Sequence, residues 1–396
     1  MKRLKHILIL TKEYQHPELP RVGGTGIFYS FLAKELIRKG FKVSVVAVTK
    51  KDISFSDDGV EVISIKSIFT RNFLWEFLRS ISGKLNFLKP LHFKLYENEK
   101  KIIQHQINNW IKKNNYQIDL IETHDFEGMA LCIDEKIPYV IRCHGSWTVL
   151  ENYFGYKKGP EGRLHCEKLA FEKSINIIAI SQFSKSINEK FFKIQNPKII
   201  YNGIDAEKFT IDKEVKLIPH SIFYLGNVSV EKGAEIAVRS FVKVKEIFPD
   251  TTLHFVGKVL LNKNFLDEIE NLPIPENSII FHGEKNKSEV IKLISSAEIV
   301  YFPSKGENFS LSLLEVMALE KAVICSDIES FKEIIIEGEN GLIANNVEDF
   351  YKKSVMVFQN LELRSKLSKN ARQTILSKFT SERMMEETMD YYNEIL

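Results

Sequence analysis

Several things are scarce in this chain of 396 residues. There are four cysteines, Cys132, Cys143, Cys166 and Cys325, with no C-x-x-C pair and no zinc spacing. They read as reduced thiols of a cytosolic protein, not as a disulfide frame. No run approaches the ~20 apolar residues of a membrane span. The opening "MKRLKHILIL" sets basic residues before an apolar run of only about six, too short for a secretory core, and it reads as a first buried strand. Excess charge is also missing: 55 Lys and Arg face 52 Asp and Glu, a formal net charge of +3. That balance excludes wholesale nucleic-acid binding but permits a local patch. H-E-x-x-H, G-x-S-x-G and G-x-x-x-x-G-K-[ST] are all absent, so zincin, hydrolase and P-loop readings lack their motif. No Asp-x-Asp appears, and "SDDGV" at 56–60 reads as a turn, so no catalytic metal is implied. There is no internal repeat and no low-complexity tract.

What is present has the composition of a soluble globular protein, 44% hydrophobic and 27% charged. The length asks for two domains. Short β-branched runs alternate with helical periods. Strands are expected at 6–10, 42–48, 60–65, 120–123, 139–143, 176–180 and 198–201, then at 221–225, 252–256, 278–281, 299–302 and 322–325. Near-continuous apolar strands separated by helices indicate parallel sheets covered on both faces. The pattern restarts after the polar stretch 205–220. The α/β reading is therefore two Rossmann-like, doubly wound domains, 1–208 and 209–379, facing each other across a cleft. A C-terminal helix at about 380–396 packs back on the first. Residues 66–113 break the rhythm. They are basic, with Phe69, Phe73, Trp75, Phe77, Phe87 and Phe93 interleaved. Two readings stand: an amphipathic surface helix packed on the first domain, which is favoured, or peripheral contact with an anionic membrane.

Four stretches carry chemistry. "KGENFSLSLLEVMALEKAV" holds Glu307 in a loop after a strand and Glu315 eight positions on, inside an apolar run. A helix from about 308–310 would offer the amides of Phe309, Ser310 and Leu311 to an anion, and Glu315 would lean back toward a polyol held there. Alternatively Ser312 and Glu315 form a capping box that needs no ligand. In "YLGNVSVEKGAEI", Lys232 opens a helix after a strand and could neutralise a diphosphate, or be an ordinary turn lysine. In "RVGGTGIFYS", Gly23, Gly24 and Gly26 permit close approach to a phosphate or sugar, without the G-x-G-x-x-G spacing of a dinucleotide site. His124 and His144 each follow a strand and could donate to a sugar hydroxyl or diphosphate, or bond a loop carbonyl.

Together these stretches resemble the retaining GT-B glycosyltransferases of family 4. The similarity runs in order through the glycine loop, His124-Asp125, "VIRCHG", "IAISQFSK", "IIYNGID", "GNVSVEKG", "GENFSLSLLEVMA" and "SDIESFKEIIIEGENGLI". The resemblance implies a transferase that moves a sugar from a nucleotide-diphosphate sugar, UDP- or GDP-linked, to a glycan or lipid-linked acceptor in bacterial cell-surface polysaccharide synthesis. No cofactor or metal is implied. It implies that Glu307 contacts the donor sugar and Glu315 the ribose, that Lys232 meets the diphosphate, and that His124 lies near the transferred sugar. Gly24 then approaches the diphosphate and acceptor; Gly23, His144 and Arg142 are accessory. The implied location is cytoplasmic, including the inner face of the plasma membrane. Two stretches depart from the family pattern, at three positions. Asn227 stands where the family usually has arginine, leaving Lys232 alone or aided by Arg142 or another first-domain cation. Asn308 and Ser310 replace glycines and narrow the space around the sugar. A nucleotide-sugar epimerase, a glycosyl phosphorylase and a catalytically weak nucleotide-sugar-binding subunit are the alternatives.

Overall fold

The computed structural model describes residues 4–20, 22–154 and 159–396. Lys2, Arg3 and Arg21 lie outside them. The chain divides into one unit of Met1–Ile200 with Met385–Leu396, and a second of Tyr201–Met384. The division thus falls at Ile200/Tyr201, ahead of the polar stretch 205–220. The reason is local: Ile204 exchanges backbone hydrogen bonds with Phe379 and Ser381, inside the second unit.

The first unit is built on strands β1 (His6–Thr11), β2 (Lys42–Thr49), β3 (Ile53–Asp57), β4 (Val60–Lys66), β5 (Leu120–His124), β6 (Tyr139–Cys143), β7 (Ile177–Ala179) and β8 (Lys198–Ile199). They form one sheet in the order β3-β4-β2-β1-β5-β6-β7-β8. Only the β3–β4 pair is antiparallel. β3 was not expected from sequence. Its residues alternate between polar and apolar, the mark of an edge strand with one wet face. Asp58 and Gly59 close the hairpin with positive φ, 50° and 86°, as a two-residue turn needs. β1 is buried at all six positions. Ile7, Leu8, Ile9 and Leu10 feed both faces, and each such burial contributes roughly 1.5–3 kcal/mol.

The second unit holds β9 (Ser221–Leu225), β10 (Thr252–Val256), β11 (Ile279–Gly283), β12 (Ile299–Phe302), β13 (Ala322–Ser326) and β14 (Leu342–Ala344). The sheet is parallel, in the order β11-β10-β9-β12-β13-β14. β14 has three residues, too few to show a period, and it too was not expected. Strand order reverses between β1 and β5 in the first sheet and between β9 and β12 in the second. Open α/β sheets bind ligands in such crevices, outside the carboxyl ends of the strands.

Residues 66–113 form short helices Ile68–Arg71 and Phe73–Ser82 and a long one, Lys89–Lys113. Pro90 sits in the first turn of the long helix, where its missing N–H costs nothing. Asn115, at φ 54°, follows its end. Leu95, Tyr96, Ile103 and Ile107 bury one face. No helix among the described residues is long and apolar enough to cross a membrane.

Candidate functional site

The second unit brings Lys232 and Glu307 together at its reversal point. β9 ends at Leu225, and the following loop is pinned by the Tyr224 hydroxyl, which donates to the carbonyls of Asn227 (2.7 Å) and Lys232 (3.1 Å). Gly233 has φ +76°, and a Cβ there would lie 1.9 Å from the carbonyl oxygen of Pro303 in the loop after β12. Only glycine lets these two loops approach so closely. Lys232 Nζ therefore stands 2.5 Å from Glu307 Oε1, and Ser304 Oγ donates to the same oxygen at 3.2 Å. Both charged side chains keep some solvent exposure. Asn227 is exposed beside them.

The helix after Glu307 is Leu311–Ala318. Ser310 is its N-cap: the Ser310 hydroxyl accepts from the Leu313 amide and lies 3.2 Å from Ser312 Oγ. The proposed S-x-x-E box at Ser312 is thus not formed. Glu315 pairs instead with Lys287, 3.2 Å away. Lys287 opens the helix after β11, and its ammonium lies 4.2 Å from the Phe209 ring centroid. Burial holds the Glu315 carboxyl above its ordinary pKa, with Lys287 pulling the other way. Leu311 starts the helix and Asn308 is half-buried in the preceding loop. Phe309 enters the sequence reading through its backbone amide, and its side chain has a separate place. Its ring is buried against Tyr201 and Phe379, at 5.9 and 5.8 Å, so its side chain anchors the loop and is not free for a ligand. Ser310 is likewise buried and spent on the cap.

In the first unit His124, His144 and Arg142 all lie against Phe28 or Tyr29 of the helix Gly24–Arg38. Gly23 caps the helix Gly24–Arg38, and its amide donates to Glu13 Oε2 at 3.0 Å. Gly24 has open space around it. His124 is enclosed, at 1% exposure. The Lys12 amide points at its Nε2 (3.0 Å) and the Phe126 amide at its Nδ1 (3.1 Å). A neutral imidazole accepts at one nitrogen only, so one of these amides donates to the ring while the other nitrogen carries its own N–H. Burial pushes its pKa down to about 3. The His144 ring packs on Phe28 and Tyr29, at 4.5 and 5.4 Å, and burial holds it neutral as well.

Arg142 is the clearest correction. It is fully buried, its Nε and Nη2 bind Glu122 at 2.8 and 3.1 Å, and Nη2 reaches Thr388 Oγ1 at 3.2 Å. The Tyr392 hydroxyl donates to the same glutamate. A guanidinium locked in the core cannot meet a phosphate.

Sequence reading missed a charged cluster at the mouth of the first sheet. Glu127, at φ 60°, binds Lys12 (3.1 Å) and Arg163 (2.5 Å). Burial opposes its charge, yet Lys12, Arg163 and Lys100 hold its pKa down to about 2. Asp125 accepts from the amides of His144 and Gly145. The only sequence signal was Glu127 lying three residues past His124. Among the described residues no group of three or more His, Cys, Asp or Glu is placed to hold a metal ion.

Comparison with known proteins follows the same two halves. The family described as Glycosyltransferase Family 4 matches residues 22–208, and Glycosyl transferases group 1 matches 207–374. An uncharacterized glycosyltransferase of Methanocaldococcus jannaschii, MJ1607, is 26% identical across 98% of this chain and 97% of its own. The capsular polysaccharide biosynthesis glycosyltransferase CapM of Staphylococcus aureus is 27% identical across 58% of this chain and 64% of its own. Among solved structures, sucrose-phosphate synthase from Thermosynechococcus elongatus superposes with a TM-score of 0.76 at 16% identity, covering 98% of this chain and 99% of that one. Anabaena Alr3699/HepE, in complex with UDP and glucose, gives 0.69 at 15% identity, covering 98% and 99%. The fold is that of the GT-B glycosyltransferases. The chain belongs to glycosyltransferase family 4 and is a transferase enzyme.

Proposed function

We propose that the second unit binds a nucleotide-diphosphate sugar and that the enzyme passes the sugar, with retained anomeric configuration, to a hydroxyl of a glycan or lipid-linked acceptor held by the first unit. The observation that carries this reading is the Lys232–Glu307 pair at the reversal point of the second sheet. A lysine resting on a half-exposed carboxylate can exchange it for a diphosphate, which brings more negative charge. Glu307 is then released to accept hydrogen bonds from sugar hydroxyls. Glu315, one to two turns along its helix, takes the ribose hydroxyls when they displace Lys287. As the bond between the anomeric carbon and the diphosphate oxygen breaks, its electron pair leaves with that oxygen. Lys232 and the amides at the start of Leu311–Ala318 stabilise the growing charge. The acceptor oxygen bonds to the anomeric carbon on the face the diphosphate leaves, and its proton passes to the departing diphosphate oxygen.

The UDP in Anabaena Alr3699/HepE supports a uridine donor, and CapM supports an acceptor in surface polysaccharide synthesis, which would place the enzyme in the cytoplasm. The test is a thermal-shift panel of UDP, GDP, ADP, TDP and CMP on wild type and Glu315→Ala. One diphosphate should raise the melting temperature of wild type and not of the variant. If none shifts wild type, the donor reading fails and the binding-subunit alternative gains, with Asn227 as its cause.

A further inference from the structure

Apart from Trp75, which packs on Phe69, the helix Phe73–Ser82 carries its apolar residues at 73, 74, 77, 78 and 81, a single stripe at the i, i+4, i+8 spacing. Such a stripe normally faces a core. Here it faces solvent: Phe73 is 85% exposed, Leu74 59% and Phe77 48%. The surface continues past Gly83 through Leu85, Phe87 (77%) and Leu91. The opposite face is fastened down. Ser82 Oγ meets His92 Nδ1 at 3.0 Å, Arg79 reaches the Tyr96 hydroxyl at 3.2 Å, and Phe69 packs on Tyr96 at 5.2 Å. The sequence reading favoured an amphipathic surface helix packed on the first domain; the structure leaves Phe73, Phe77 and Phe87 outside, on a hairpin tied to the long helix Lys89–Lys113. A contiguous apolar patch of this kind marks an interaction surface.

Charge decides the partner. Residues 71–91 contain four basic side chains, Arg71, Arg79, Lys84 and Lys89, against one acidic, Glu76. Glu76 is taken by Arg79, Arg71 by Asp52 and Lys89 by Glu161. Lys84 and Lys94 are exposed and have no carboxylate partner among the described residues. A second copy of the chain, docked through the same patch about a twofold axis, would bring two equally basic surfaces together. An anionic bilayer satisfies both features, taking the apolar side chains at the acyl boundary and the ammonium groups among phosphates.

We propose that the Phe73–Leu91 hairpin seats the first unit on an anionic phospholipid surface. The same hairpin walls a cavity of about 510 Å³ that also reaches Lys12, Glu127 and Arg163 at the mouth of the first sheet. Ser67, Phe69 and Arg79 line its near side. An acceptor carried in the bilayer would reach that cavity along the docked face. This last link rests on the transferase reading; the docking does not.

Flotation of the full chain with phosphatidylcholine vesicles, with and without phosphatidylglycerol, tests it. Wild type should float with the anionic vesicles, and added salt should weaken this. Phe73→Ser/Phe77→Ser/Phe87→Ser should stay at the bottom. Lys84→Glu/Lys94→Glu should lose on the order of thirtyfold in partitioning or more, from about 1 kcal/mol per basic residue. Both variants should melt like wild type and keep the nucleotide-induced shift of the second unit, which separates failed docking from a failed donor reading. Wild type remaining at the bottom, or a serine variant that floats as well as wild type, overturns the proposal. So does light scattering that finds a wild-type dimer which the serine variant disperses, with no vesicle binding.

Discussion

The two units treat charge in opposite ways. In the first, Arg142 and Glu122 are sealed from water and joined by Thr388 and Tyr392, 246 and 270 residues away along the chain. In the second, Lys232–Glu307 and Lys287–Glu315 sit at loop and helix ends with part of each side chain wet. A sealed pair has no alternative partner, so it fixes geometry. A wet pair has water and solutes to exchange with, so it can yield to a ligand. Similar residue types thus give a scaffold in one sheet and a replaceable contact in the other.

The largest expected effect comes from breaking the sealed pair. Arg142→Ala leaves Glu122 buried and uncompensated, and urea unfolding should show a loss of about 3–5 kcal/mol. Lys232→Ala should do the reverse, changing stability by less than about 1 kcal/mol. It should lower turnover of the nucleotide sugar that the thermal-shift panel identifies by about a hundredfold or more, measured by release of nucleotide diphosphate. An equal stability loss in both variants would erase the contrast. Lys287→Met sharpens it further. On the proposed donor reading the ribose replaces that contact, so removing the counter-ion of Glu315 should change nucleotide binding by about tenfold at most, read by calorimetry.

The smallest effect concerns protons and compares both sheets. His124, held at about 3, and His254, held at about 4, are neutral in the fold because burial disfavours their charge. The ordinary value is 6.5, so the unfolded chain binds protons first as pH falls. Their stabilisation is therefore complete above about 6.5 and is lost on the way down toward their folded values. The melting temperature should decline between about pH 7 and pH 5, and His254→Asn should make that decline shallower.

Much of the frame was legible because its causes are local. Parallel strands such as Tyr139–Cys143 and Ser221–Leu225 announce themselves as apolar runs between helical periods, and the fold class follows from their alternation. β3 and β14 were not, since one alternates at an edge and the other has three residues. At the site, Glu307, Lys232 and Glu315 stood out through their positions after strands and inside an apolar helix. The partners did not: Lys287 reaches Glu315 from another strand's loop, and nothing near Arg142 foretells Tyr392. The exposure of Phe73 was hidden for the opposite reason, since a helical stripe looks the same whether it meets a core or a solvent.

The socket around Arg142 has a consequence for biogenesis. Thr388 and Tyr392 belong to the first unit, yet a ribosome delivers them only after the whole second unit. Until then Arg142 and Glu122 lack part of their lining, and the first sheet waits, incompletely closed, while the second can already fold. A nonsense mutation or protease cut near residue 385 would spare the Lys232–Glu307 pair and still undo the far earlier half of the polypeptide.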